Sequence, residues 1–145
     1  MKLQSPVFSD NQYLPKKYTG EDLNINPPLI ISEVPRQAKS LALILLDIDA
    51  LMDDWVHWLL YNIDPATVKI EADSLPKGAI AGLTSFGSTA YSGPCPPTGI
   101  HRYIFKLYAL DARLDLPPEA DKEKLKIAMR GRILEQTQLI GLYKK

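Results

Sequence analysis

Two apolar runs of strand length, Ser40 to Leu46 and Trp55 to Ile63, stand on either side of one acidic stretch, Asp47-Ile48-Asp49-Ala50-Leu51-Met52-Asp53-Asp54. Runs without polar alternation suit strands covered on both faces, so the two are expected to pair in one sheet. The stretch between them is too acidic for a core and too short for a crossover helix. It reads as an exposed connection, the kind of segment on which binding chemistry is usually mounted.

The rest of the chain adds to a mainly β pattern. His101 to Leu110 alternates, with His101, Tyr103, Phe105 and Leu107 on one face and Arg102, Ile104 and Lys106 mainly on the other, as a half-buried strand would. Asp121 to Arg130 gathers Leu125, Ile127, Ala128 and Met129 near one side of a helix, with acids early and Arg130 late, and Gly131 placed to end it. Ile133 to Tyr143 reads as a final strand rather than a second helix. Residues 9–28, ending in Asn26-Pro27-Pro28, read as a long N-terminal loop, because proline fixes φ and has no N–H to give a ladder. Residues 85–99, with Gly87, Gly93, Gly99, Pro94, Pro96 and Pro97, read as a second long, stiff loop.

Charge and length narrow the function. At 145 residues the chain has the length for one core, and one domain over residues 1–145 is expected. Its 17 basic and 17 acidic side chains cancel, which removes the pull that nucleic-acid binders exert on phosphate backbones, so DNA and RNA are not expected partners. The longest aliphatic run, Leu41 to Leu46, is far short of the roughly 20 residues that cross a bilayer, so no transmembrane segment is expected. No apolar stretch follows Lys2, there is no Asn-x-Ser/Thr sequon, and Cys95 has no second cysteine to pair with; together these point to the cytoplasm.

The only two histidines, His57 and His101, each sit at or near the start of an aromatic-rich strand. Strand parity puts His57 with Trp55 and Leu59, and His101 with Tyr103 and Phe105. If their strands lie side by side with these ends together, the Asp47 loop and the Gly/Pro loop cover the same end of the sheet and enclose a pocket there. The bland alternative is that each histidine is a hydrogen-bonded structural residue.

Longer segments now bear on the choice. Tyr91-Ser92-Gly93-Pro94-Cys95-Pro96-Pro97-Thr98-Gly99-Ile100-His101-Arg102-Tyr103, running on through Leu107-Tyr108-Ala109-Leu110-Asp111, resembles the Gly-Pro-x-Pro-Pro and His-Arg-Tyr block of the phosphatidylethanolamine-binding protein family, also called Raf kinase inhibitor-like proteins. Asp47-Ile48-Asp49-Ala50-Leu51, followed by Val56-His57-Trp58 and Asn62-Ile63, is similar in spacing to that family's Asp-Pro-Asp-Ala-Pro and His-Trp block, with Ile48 and Leu51 in place of its prolines. Lys16-Lys17-Tyr18-Thr19 with Pro27-Pro28-Leu29, and Met129-Arg130-Gly131 to Tyr143, are similar to the terminal signatures, so the resemblance spans nearly the whole chain.

The resemblance implies a large central β-sheet packed against a smaller one, with a C-terminal helix. It implies a pocket made by Asp47, Asp49, His57, His101 and Tyr103, with Gly93 and Pro94 at its rim. Histidine N–H groups and loop amides can hold phosphate oxygens there, while Asp47 orients an imidazole or meets an ammonium head, which suits a small phosphorylated or anionic ligand such as phosphoethanolamine. The reading is a non-catalytic binding or regulatory protein with no cofactor, and relatives of this kind are often homodimers. One alternative is an inhibitor of a kinase or serine protease acting through its surface; another is a metal-dependent enzyme using Asp47, His57 and His101. Ser92 near His101 is the one pair that suggests a hydrolytic site, and nothing resembles a nucleophile elbow. Histidine contacts predict that anion affinity falls as pH rises through about 6 to 8, with Asp47 moving that window upward.

Overall fold

The computed structural model describes every residue from Met1 to Lys145. Its strands are β1 (Lys2–Gln4), β2 (Gln12–Tyr13), β3 (Leu29–Ser32), β4 (Ser40–Asp47), β5 (Trp55–Ile63), β6 (Lys69–Ile70), β7 (Ile80–Ala81), β8 (Ile100–Leu110) and β9 (Ile133–Lys144). One helix, α1 (Lys122–Met129), precedes the last strand. A six-stranded sheet runs in the order β2-β9-β8-β4-β5-β7, and a three-stranded sheet in the order β1-β3-β6.

The two apolar runs behave as their composition requires. β4 and β5 are antiparallel neighbours near the middle of the large sheet, and all of β4 and all of β5 beyond Trp55 are buried. One face of the sheet, carrying Leu41, Leu43, Leu45, Trp58 and Phe105, packs on Leu3, Leu29, Ile31 and Ile70 of the small sheet. The opposite face, carrying Ala42, Ile44, Leu46, Leu59 and Tyr61, is covered by Leu125 and Met129 of α1 and by Leu114 and Ala120 of the segment before it. Two covered faces explain why these strands show no polar alternation.

α1 begins where Asp121 caps it, accepting a hydrogen bond from the Lys124 amide at 3.0 Å. It ends at Gly131, whose φ of +73° is the left-handed turn that glycine adopts without a Cβ clash. Ile133 onward is one continuous strand. The long loop over residues 85–99 contains no helix or strand.

Two expectations need correction. β8 is not half-buried: Ile104, Tyr108 and Leu110, on the face that carries Arg102 and Lys106, are buried, the last two within the cluster closed by the second layer. Nor are residues 9–28 a featureless loop. The outer edge of β9 offers unpaired backbone groups, and β2 pairs with it in parallel at Gly141 and Leu142, after which a 3-10 turn forms at Lys16–Tyr18.

The pairing of β4 with β5 shifts register twice. Leu41 faces Ile63 while Leu43 faces Leu60, so β5 carries an extra residue there. Asn62 absorbs it with φ +56°, and its buried side chain both accepts from the Leu114 amide at 2.7 Å and donates to the Leu114 carbonyl at 2.8 Å. The amide therefore ties the bulge to the layer above it. Asn62→Ala is expected to cost about 2–6 kcal/mol, since it leaves two buried backbone groups unpaired at roughly 1–3 kcal/mol each. A shift in the urea unfolding midpoint measures it.

Candidate functional site

The second register shift makes the site. Leu46 faces Val56 while Leu45 faces Trp58, which leaves His57 as the extra residue of a bulge. Simple parity therefore fails here: Leu59 turns to the α1 side, whereas the His57 ring meets Tyr103 on the other face, with ring centroids 5.3 Å apart. β5 and β8 are also not neighbours, because β4 lies between them. Both are antiparallel to β4, so they run parallel to each other and start at the same end of the sheet. There Asp47 stands opposite Trp55 on one side and Tyr103 on the other.

Asp47, His57, His101, Tyr103 and Trp55 line one cavity of about 260 Å³ at this end. His101 Nδ1 donates to Asp47 Oδ2 at 2.7 Å, and the other Asp47 oxygen accepts from the Asp49 amide at 2.9 Å. His57 Nδ1 donates to the Ser92 backbone carbonyl at 2.5 Å. Both imidazoles are thus anchored through Nδ1, which fixes the tautomer of the neutral ring and leaves Nε2 without a protein partner. Neither Nε2 is among the sealed, unpaired polar atoms, and both rings line the cavity. The Tyr103 hydroxyl is sealed and has no hydrogen-bond partner. Burial raises the Tyr103 phenol far above its usual range, with the nearby Asp47 charge adding to the effect.

Burial also holds the His57 imidazole below the usual histidine value, against the opposing pull of the Ser92 carbonyl and of Asp47. For this ring desolvation outweighs the aspartate, so its titration moves downward rather than upward. Because His57 meets the Ser92 carbonyl, no hydroxyl is paired with either imidazole as a nucleophile would be. Asp47, His57 and His101 do not close into a three-ligand cation geometry.

Three residues nominated from sequence lie outside the lining. Asp49 accepts from the Arg102 amide at 2.8 Å, from Nε at 3.0 Å and from the second guanidinium nitrogen at 2.8 Å. Gly93 and Pro94 are buried against the N-terminal segment: the Gly93 amide donates to Asn24 at 2.6 Å, and the Pro94 carbonyl accepts from Gly20 at 2.9 Å. A Cβ on Gly93 would lie 2.4 Å from the Tyr18 carbonyl oxygen, so this glycine permits a close approach of two backbones. The same loop instead presents Cys95, Pro96 and Pro97 to the cavity. The sequence reading also left out the apolar mouth, formed by Leu51, Met52 and Phe86. Exposed apolar side chains in loops follow no period, so patterning alone had no means of finding them.

A sequence model described as Phosphatidylethanolamine-binding protein matches residues 4–144. The chain belongs to the phosphatidylethanolamine-binding protein family. Its relatives include a UPF0098 protein of Methanothermobacter thermautotrophicus, 46% identical over 150 residues that take in 100% of this chain and 99% of that one. Among solved structures, the phosphatidylethanolamine-binding protein homolog CT736 of Chlamydia trachomatis superposes with a TM-score of 0.95 at 40% identity, covering 99% of this chain and 96% of that one. Escherichia coli YbcL, described as a member of the mammalian family, gives 0.91 at 26% identity, with 99% and 98% covered. The mostly β architecture of two sheets and a C-terminal helix is that of these family structures. No helix is long and apolar enough to cross a membrane.

The acidic loop that holds Ile48 and Leu51 is ordered by hydrogen bonds to the start of β8. The bidentate Arg102–Asp49 pair, together with the Ile48 amide donating to the Arg102 carbonyl at 3.2 Å, clamps the first turn of the hairpin to β8. The Arg102 hydrogen bond holds the Asp49 carboxyl below its usual range, against the opposing effect of burial. Asp49→Asn is expected to speed amide exchange over residues 48–54 while leaving β4 and β8 protected, as hydrogen-exchange mass spectrometry would show.

A second prediction concerns acid. The folded chain disfavours protonated His57, so between that depressed value and the ordinary 6.5 the unfolded chain binds more protons. This stability is fully present above about pH 6.5 and is lost as pH falls below it. The melting temperature of the protein should drop between pH 7 and 5, and His57→Gln should flatten that portion of the profile.

Proposed function

We propose that the chain is a non-catalytic binding protein whose cavity takes a small oxyanion of the phosphomonoester type, including phosphorylated head groups such as phosphoethanolamine. The observation that carries this reading is a pair of imidazoles that line the same cavity, each with Nδ1 held by the protein and Nε2 without a protein partner. Two rings fixed in this way are preorganised, so a ligand does not have to order them. Each Nε2 meets a phosphate oxygen through one proton, carried either by the ring or by the phosphate. Binding therefore takes up a proton. The family description, a phosphatidylethanolamine-binding protein, agrees with a phosphate-bearing ligand.

Calorimetric titration with inorganic phosphate and with phosphoethanolamine from pH 5.5 to 8 tests the reading. Affinity should rise as pH is lowered across this range, and His57→Gln and His101→Gln should each weaken binding about tenfold or more, as loss of a charge-assisted hydrogen bond implies. A flat pH profile, or variants that bind as well as the parent, would overturn it.

A further inference from the structure

The cavity changes character from floor to mouth. Its ionisable lining residues are Asp47, His57, His101, Tyr103 and Cys95, with no lysine or arginine among them, and the Arg102 guanidinium is engaged by Asp49 outside it. A bare oxyanion therefore meets one fixed negative charge and no fixed positive one, a weak site for inorganic phosphate by itself. The mouth is apolar. Leu51 and Met52 are 93% and 92% exposed at the tip of the β4–β5 hairpin, and Phe86 is 51% exposed.

One wall is a ladder of rings. Trp55 meets Phe86 edge-on at 5.7 Å, Phe86 meets His57 at 5.2 Å, and His57 meets Tyr103 at 5.3 Å. An aromatic surface thus runs unbroken from the solvent-facing rim to the imidazole whose Nε2 is free. At about 260 Å³ the cavity has room for an oxyanion and for an attached group of ring size.

We infer that the cavity selects amphiphilic phosphomonoesters, with the oxyanion at the two imidazoles and an aromatic or compact alkyl group between the Phe86 wall and the Leu51–Met52 tip. Leu51, Met52 and Phe86 are then the specificity-determining residues, and the apolar group supplies the affinity that a site without a fixed cation lacks. Leu51 is one of the positions at which this chain departs from its family's proline, so the preference belongs to this chain's own hairpin. The inference rests on the oxyanion reading of the imidazoles.

The test is calorimetry at pH 6 with phenyl phosphate, hexyl phosphate, inorganic phosphate, phenol and a short-chain phosphatidylethanolamine below its micelle concentration. Phenyl phosphate should bind at least about tenfold tighter than inorganic phosphate and than phenol, the factor that burial of one ring-sized apolar face provides. Leu51→Ser and Met52→Ser, both at almost fully exposed positions of the hairpin tip where folding is little affected, should each cut the phenyl phosphate affinity about three- to tenfold and leave that for inorganic phosphate within about twofold. Phenyl and inorganic phosphate binding equally well, or a preference that survives both substitutions, would overturn the inference and leave the oxyanion site standing. Phenol binding as tightly as its phosphate ester would instead overturn the oxyanion reading, and this inference with it. The lipid is a phosphodiester with one charge fewer on its phosphate; it should bind less tightly than phenyl phosphate, and the reverse order would overturn the preference for monoesters.

Discussion

The Asp47 carboxylate is the constraint on which the rest of the site depends. It stands at the last position of a fully buried central strand, between the rows that begin β5 and β8, and both of its oxygens are engaged. One oxygen orients the His101 ring and the other turns the chain into the hairpin. A buried carboxylate is tolerated when its oxygens accept hydrogen bonds, and here those bonds also set the direction of a ring and of a loop. Strand register, loop geometry and imidazole orientation therefore meet at one side chain.

Much of this was legible in the sequence, for physical reasons that differ from part to part. The unbroken runs Ser40–Leu46 and Trp55–Ile63 declared strands covered on both faces, and the alternation from His101 declared a third strand. The end of α1 was readable in Gly131, whereas Asp121, read as the first residue of the helix, proves to be its cap. The half-burial expected of β8 was not correct, because Arg102 and Lys106 made a covered face look like a wet one; long charged side chains reach solvent from positions whose neighbours are sealed.

The bulge was the hidden element in the site. Period-two reasoning assigns His57 to the side of Leu59, and one inserted residue reverses that assignment; nothing in Trp55-Val56-His57-Trp58 marks where the insertion falls. Similarly, Asp49 and Gly93-Pro94 are near the cavity in sequence but serve its frame, the first by holding Arg102 and the others by packing against Tyr18 and Gly20. Side chains that hold a site and side chains that face it share the same segments. Only geometry separates them.

The order of strands in the large sheet has a consequence for how the chain is made. β9, the last element, lies between β2 and β8, and the amino group of Met1 pairs with Glu135 at 2.8 Å, so the first and last parts of the chain are mutual partners. Contacts so remote along the chain close late, after the entropy of bringing distant segments together has been met. During synthesis the sheet can assemble β4 with β5 and then add β8, but its outer third must wait until β9 has emerged. Until then the flank of β8 that will receive β9 is an open edge, and a nascent chain in that state is the form most exposed to aggregation.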